Sequence, residues 1–399
     1  MNNKNLSKRI NTLAESQTIG MSKLSRELSA KGVDVINLSL GEPDFVTPAH
    51  ICEAAKKAID EGFTHYTPIS GYPELRKAIS EKFKRANNLV YTPEQIVVST
   101  GAKQSIANVI LSLINPGDEV IIPLPYWVSY IEIVKLAEGK TVAPVTTFEN
   151  DFKISPQQLE KAITPKTKMF IFSSPCNPTG SVYTRDELKA LAEVFAKHPG
   201  IFIISDEIYE HINFLDKHVS IAEFENIRER VIIVNGCSKG YAMTGWRIGY
   251  IGAEQWIAAA CDKMQGQITS GASSISQKAA IAALSGDSKP TMEMQAAFRR
   301  RRDLVLRLMK EIPGLKVNEP KGAFYVFPDC SSFYGKSFEG NKISNATELC
   351  MYLLHHAHVS VVTGEAFGAP GHFRLSYAAS DEKLTEAIKR IKGALAHLK

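Results

Sequence analysis

Residues 231–250 read Val231-Ile232-Ile233-Val234-Asn235-Gly236-Cys237-Ser238-Lys239-Gly240-Tyr241-Ala242-Met243-Thr244-Gly245-Trp246-Arg247-Ile248-Gly249-Tyr250. The β-branched run Val231–Val234 has the composition of a buried strand. It stops at a Gly-Cys-Ser turn, which puts Lys239 just past the strand's carboxyl end and Arg247 a short loop away. A lysine amine condenses with aldehydes, and a guanidinium forks onto phosphate.

Working outward, Ile96–Val98, Glu119–Ile122, Met169–Phe172 and Ile201–Ile204 share this texture, bounded by Gly, Pro, Ser or Asn. Helix-like segments such as Ser105–Ile114 and Arg185–Lys197 lie between them. Strands alternating with helices predict an α/β unit built on a mostly parallel sheet covered on both faces. Residues 1–35 read as a polar, partly helical arm ending at Val35-Ile36-Asn37-Leu38. Beyond residue 290 the texture changes to a charged helical segment (Arg299–Glu311), an aromatic run (Ala323–Phe327), strand candidates Val359–Val362 and Phe373–Tyr377, and a C-terminal helix. The expected division is therefore 1–45 as an arm and part of a small domain, 46–290 as a large domain, and 291–399 as a small α+β domain.

Composition narrows the function. A chain of 399 residues, 44% hydrophobic and 22% charged, suits a two-domain globular protein. Its net charge of +5 is slight for that length and gives no reason to expect nucleic acid. The run Arg299–Arg302 reads as a solvated helix face. The six cysteines form no C-x-x-C pair and no zinc spacing, so reduced thiols in a cytoplasmic protein are expected. His355, His356 and His358 read as a helix end, and no metal is expected. No secretory signal and no membrane-spanning run is visible.

In a parallel α/β sheet, ligands gather beyond the carboxyl ends of the strands. After Ile96–Val98 comes Ser99-Thr100-Gly101-Ala102-Lys103, a glycine turn into a helix whose free N–H groups suit phosphate. After Glu119–Ile122 comes Pro125-Tyr126-Trp127, with a ring able to stack on a flat group. After Met169–Phe172 comes Pro175-Cys176-Asn177-Pro178-Thr179-Gly180, and after Ile201–Ile204 comes Ser205-Asp206-Glu207-Ile208-Tyr209. Singly, these are a turn, a helix cap, a core tryptophan and a solvated lysine. Together they match the demands of pyridoxal 5′-phosphate: an imine-forming lysine, an anion for the pyridine nitrogen, donors to the phenolic oxygen, a stacking ring and a phosphate cup.

From about Asn37 to Tyr377 the chain resembles the fold-type-I, class I aminotransferases of the aspartate aminotransferase family. The likeness is carried by the Pro175–Gly180, Ser205–Tyr209 and Ser238–Gly249 motifs, in the family's order and at fitting intervals. It implies a seven-stranded, mostly parallel sheet in a three-layer large domain. It also implies ping-pong transamination between L-aspartate and 2-oxoglutarate, with Lys239 as Schiff-base lysine and general base. Asp206 resembles the carboxylate on the pyridine nitrogen, and Tyr209 and Asn177 the donors to the phenolic oxygen. Arg247, Ser238, Gly101, Ala102 and Lys103 fall on phosphate positions, and Trp127 on the stacking ring. Arg374 resembles the clamp on the substrate α-carboxylate and Gly41 the substrate-contacting glycine. Tyr66 resembles the tyrosine that reaches the phosphate from a neighbouring subunit, implying a homodimer with shared sites.

Two departures stand out. Gly236 occupies a place where many relatives have a phosphate-binding serine, leaving Ser238 to share that work. The stretch Ile268–Gln277 lacks the arginine that animal-type aspartate enzymes offer to the substrate's side-chain carboxylate. Lys103 and Ser16 fit the positions used instead by a bacterial subgroup that acts on aspartate and, in part, prephenate. The alternatives are an aminotransferase preferring prephenate, aromatic or neutral amino acids, a lyase on the same fold, and a sensor domain of a transcriptional regulator. Only about 35 residues precede the fold, too few for a winged helix.

Overall fold

The computed structural model describes residues 5–15 and 17–399. Seven strands form the main sheet: β1 (Ile96–Ser99), β2 (Glu119–Ile121), β3 (Lys140–Val142), β4 (Thr167–Ser173), β5 (Phe202–Asp206), β6 (Val231–Gly236) and β7 (Gly249–Gly252). Their order is β1-β7-β6-β5-β4-β2-β3. All neighbours run parallel except β7, which is antiparallel to both β1 and β6.

The central strands are mostly apolar because both faces are buried, and alternation divides their side chains between two layers. Phe170 and Phe172 of β4 face a layer with Leu75, Ile79 and Leu188 from the helices Pro73–Asn87 and Arg185–Ala196. Met169 and Ile171 face the opposite layer, with Ile106, Val109 and Ile257 from the helices Ala102–Leu113 and Gln255–Ile268. The helix–sheet–helix sandwich expected from the sequence is present. The strands Lys140–Val142 and Gly249–Gly252 were not anticipated; the first is a half-exposed edge and the second is bounded by glycine at both ends.

A smaller α+β unit carries the three-stranded antiparallel sheet β9-β10-β8, made of β8 (Tyr325–Val326), β9 (Val362–Thr363) and β10 (Phe373–Ser376). The helices Lys289–Met309 and Asp381–Ala396 share its core with Phe324, Leu375 and Tyr377. The first of these helices begins ten residues before the Arg299 expected from the charge run, with Pro290 in its opening turn, where proline's missing N–H is not needed. The N-terminal segment joins this unit, since Ile36–Asn37 pairs in parallel with Val359–Ser360.

Gly236 is explained by packing. It lies opposite Gly249 in the β6–β7 ladder, and a Cβ there would stand 2.7 Å from the Ile248 carbonyl oxygen and 2.9 Å from Gly249 Cα. A serine cannot occupy this backbone without parting the strands. Gly236→Ser should lower stability by about 1–3 kcal/mol, the usual range for overpacking. Thermal unfolding monitored by circular dichroism tests this, and an unchanged melting temperature would refute the steric account.

Candidate active site

The carboxyl ends of β1, β4, β5 and β6 converge on one cleft of about 300 Å³. Gly41, Ala102, Lys103, Trp127, Asn177, Asp206, Tyr209, Ser238, Lys239, Arg247 and Arg374 all line it. Gly101 adjoins the cleft at the start of the helix Ala102–Leu113, where a Cβ would collide with the Arg247 guanidinium. Two expected residues stand apart. Tyr66 is 98% exposed, away from the cleft of its own chain. Ser16 lies outside the described residues, although Thr18 and Ile19 beside it reach the cleft.

Lys239 follows β6 by three residues, and its Nζ donates to the Gly41 carbonyl oxygen at 2.6 Å. Burial, reinforced by Arg374 and Arg247 and opposed by Glu42 and Asp206, brings its pKa down to about 8. About a tenth of the amine is therefore neutral at pH 7. Asp206, the last residue of β5, accepts from Tyr130 Oη at 2.7 Å and from the Ile208 N–H at 3.2 Å. Burial outweighs these bonds and raises its pKa to about 6.

Arg374, on β10, is only 2% exposed. Its Nη1 donates to Asn177 Oδ1 at 2.8 Å and its Nη2 to the Ser39 carbonyl oxygen at 2.6 Å, while Nε is buried without a partner. The guanidinium lies between the Tyr325 and Phe367 rings, 4.5 and 5.1 Å from their centroids. A guanidinium only donates, so it fixes the Asn177 amide with its oxygen toward Arg374 and leaves Nδ2 free to donate. Tyr209 Oη and Tyr325 Oη share a 2.7 Å hydrogen bond, and burial, with Tyr325 alongside, holds the Tyr209 phenol well above its ordinary pKa. Tyr209 thus also remains a donor.

At the other end, Arg247 has left-handed backbone (φ 56°), and its Nη1 donates to the Thr244 carbonyl oxygen at 2.9 Å. Its guanidinium faces the first turn of the helix Ala102–Leu113, whose leading N–H groups have no intrahelical acceptor. This is an anion cradle of helix dipole plus arginine. Lys103 Nζ lies 5.0 Å from the Trp127 ring centroid, and burial and then Arg247 lower its pKa. The Gly41 segment is anchored from behind by Arg301, which donates to both Asp44 oxygens at 2.7 and 2.9 Å.

No motif in the sequence singles out Tyr130 or Tyr325. Tyr130 stands three residues after Trp127, and Tyr325 lay hidden in an apolar run. Tertiary packing alone reveals their partners.

The family model for class I and II aminotransferases matches residues 33–391. An aspartate/prephenate aminotransferase of Cereibacter sphaeroides is 50% identical over 386 residues, covering 96% of each chain. The crystal structure of the aspartate aminotransferase from Rhizobium meliloti superposes with a TM-score of 0.96 at 42% identity over the whole of both chains. The aspartate aminotransferase of Thermus thermophilus, solved with maleate, gives a TM-score of 0.92 at 40% identity over 99% of this chain and 100% of its own. The chain belongs to the class I and II aminotransferases.

The raised pKa of Asp206 makes stability depend on pH. Below pH 3.8 both folded and unfolded states hold the proton. Between 3.8 and about 6 only the folded state does, so stability falls as pH rises through that window. Above it the full penalty, about 3 kcal/mol, remains. Asp206→Asn should therefore stabilise the cofactor-free protein by about 3 kcal/mol at pH 8 and about half that at pH 5. Urea unfolding at the two pH values measures both, and equal gains would contradict the linkage.

Proposed function

We propose that the protein transfers an amino group between L-aspartate and 2-oxoglutarate, giving oxaloacetate and L-glutamate, with pyridoxal 5′-phosphate as cofactor. One observation carries the reading: a lysine whose pKa burial lowers to about 8, a buried carboxylate and a buried arginine with a partnerless Nε face the same cleft as an anion cradle. The cofactor, when bound, supplies an aldehyde for the amine and a protonated ring that draws electrons from the substrate Cα–H bond.

The chain's residues fit that group. Asp206 would hold the ring nitrogen, and its raised pKa means that a cationic partner is wanted there. Tyr209 and Asn177 Nδ2 would donate to the phenolic oxygen. Arg247, Ser238 and the N–H groups of Ala102 and Lys103 would take the phosphate, and Trp127 would cover the ring. Lys239, as the neutral amine, would take the proton from the substrate Cα. Arg374 would fork onto the substrate α-carboxylate. Lys103, with Ser16, would meet the side-chain carboxylate, consistent with the maleate held by the Thermus relative. The Cereibacter relative's name favours prephenate as a second substrate.

The reading includes a homodimer in which Tyr66 serves the neighbouring site. Its 98% exposure leaves the Tyr66 ring free to reach a second copy. It also includes the cytoplasm, supported by six free cysteines. Among the described residues, no helix is long and apolar enough to cross a membrane.

A stopped-flow half-reaction panel tests the assignment. The visible absorbance of the bound cofactor should collapse fast with aspartate and glutamate, slowly with alanine and phenylalanine, and return with oxaloacetate, 2-oxoglutarate or prephenate. A preference for neutral amino acids would overturn the role of Lys103. Separately, Arg374→Lys should raise KM for every amino acid by about 10- to 100-fold, the worth of a charge-assisted hydrogen bond. An unchanged KM for aspartate in steady-state assays would remove the clamp.

A further inference from the structure

Behind the cleft lies a buried charge cluster that the reaction does not use. The turn Asp206-Glu207-Ile208-Tyr209-Glu210 presents two pairs of side chains three residues apart. Asp206 and Tyr209 line the cleft, whereas Glu207 and Glu210 point into the protein, where both are buried. Glu210 Oε1 forms an ion pair with Lys82 Nζ, and Oε2 accepts from Asn87 Nδ2 at 2.9 Å. Lys82, only 1% exposed, also donates to Asn87 Oδ1 at 2.9 Å, closing a three-membered ring of contacts. Glu207 accepts from Ser205 Oγ at 2.9 Å and Ser220 Oγ at 2.6 Å, and meets His218 Nε2 at 2.9 Å.

Glu207, Glu210 and His218 have the spacing of a metal-ligand set, but the Lys82 ammonium already supplies the cation at Glu210. The cluster also touches the lysine loop. His211 Nε2 is 3.3 Å from Glu210 Oε1, and its ring packs so closely on Gly240 that a Cβ there would lie 2.6 Å from Cδ2. Gly240 is the residue after Lys239.

We propose that the buried Lys82–Glu210 pair is a positioning device for the cofactor-facing residues. Lys82 and Asn87 belong to the helix Pro73–Asn87, which packs on the sheet, so they hold Glu210 at a fixed depth. Glu210 fixes the pitch of the turn, through the Glu210 N–H to Glu207 oxygen and Ile212 N–H to Tyr209 oxygen bonds of 2.9 and 2.8 Å. The pitch sets where Asp206 and Tyr209 face, and His211 passes the constraint to the Lys239 loop. Buried ion pairs add little stability over apolar packing, and their attested use is to select one arrangement. The inference rests on the cofactor reading above only for its spectroscopic and kinetic consequences.

Two variants test it: Glu210→Gln, which keeps volume and the Asn87 bond, and Lys82→Met/Glu210→Met, which removes both charges together. Without cofactor, amide hydrogen exchange of residues 208–212 should quicken by about tenfold or more. With pyridoxal phosphate bound, the pKa of its visible absorbance should move by about one unit, and kcat should fall about 10- to 100-fold with KM for aspartate little changed. Folded variants with parental exchange and absorbance titration would overturn the proposal. So would faster exchange without a spectral shift, because the turn would then loosen with no effect on the site. Failure of both variants to fold would make the pair a folding requirement and overturn it too. If the parent takes up no cofactor, or Lys239→Ala keeps the absorbance band, the cofactor reading fails, and the exchange arm alone decides whether Glu210 holds the turn.

Discussion

A carboxylate that is only 5% exposed, Asp206 at the end of β5, sets the terms for everything around it. Two donors, Tyr130 and the Ile208 N–H, are too few to keep a buried charge at its ordinary pKa, and the group is pushed up to about 6. Lys239, facing the same cleft, is pushed down to about 8. Both shifts run toward neutrality, as burial dictates when opposite charges are not in direct contact. A flat cation seated against Asp206 would reverse the first shift, and consuming the Lys239 amine in a covalent bond would remove the second charge. On the proposed reading, both destabilised groups are relieved when the cofactor binds, which adds to its affinity.

The substrate end is governed by a different constraint. Arg374 is sealed between two aromatic rings and spends two of its five N–H groups on Asn177 and Ser39. The remaining donors, including the partnerless Nε, suit a planar carboxylate. Ser39 and Gly41 share the N-terminal segment, and Arg301 ties that segment to the smaller unit through Asp44. On the proposed reading, carboxylate recognition belongs to β10 and the N-terminal segment, while the acid–base groups belong to the seven-stranded sheet. The cleft is the seam between the two.

This division explains what could be read from the sequence. Lys239 and Asp206 follow apolar, largely β-branched runs and Asn177 an apolar, aromatic one, so the rule that ligands collect at strand ends points to them directly. The strand Gly249–Gly252 lacks such a run: Gly249 lets the backbone pass the Ala102 turn and Gly252 makes room for the Phe83 and Tyr91 rings, so close approach rather than strand propensity sets its ends. Tyr130 and Tyr325 gain their roles only from partners 76 and 116 residues away. Lys82 is the hardest case. In Pro73–Asn87, with Arg76, Lys77, Lys84 and Arg85 around it, it reads as one more solvated charge, yet it lies on the core-facing side. Gly236 was legible as a departure from the family pattern, and its reason, the backbone of β7, was not.

The five residues from Asp206 to Glu210 show why site and core cannot be treated apart here. An (i, i+3) spacing puts Asp206 with Tyr209 and Glu207 with Glu210, so rotating the turn by one residue would turn the first pair away from the cleft and the second pair toward it. Hydrophobic packing resists such a slip weakly, because Ile208 is the only apolar aliphatic side chain among the five. An unpaired charge buried by the slip would be penalised by about 3–5 kcal/mol, far more than a lost methylene contact. Charges on the hidden face are thus a sharper register pin than apolar residues would be. This holds although Glu207 itself helps to raise the Asp206 pKa, so the same acid that secures the turn also weakens the carboxylate it presents.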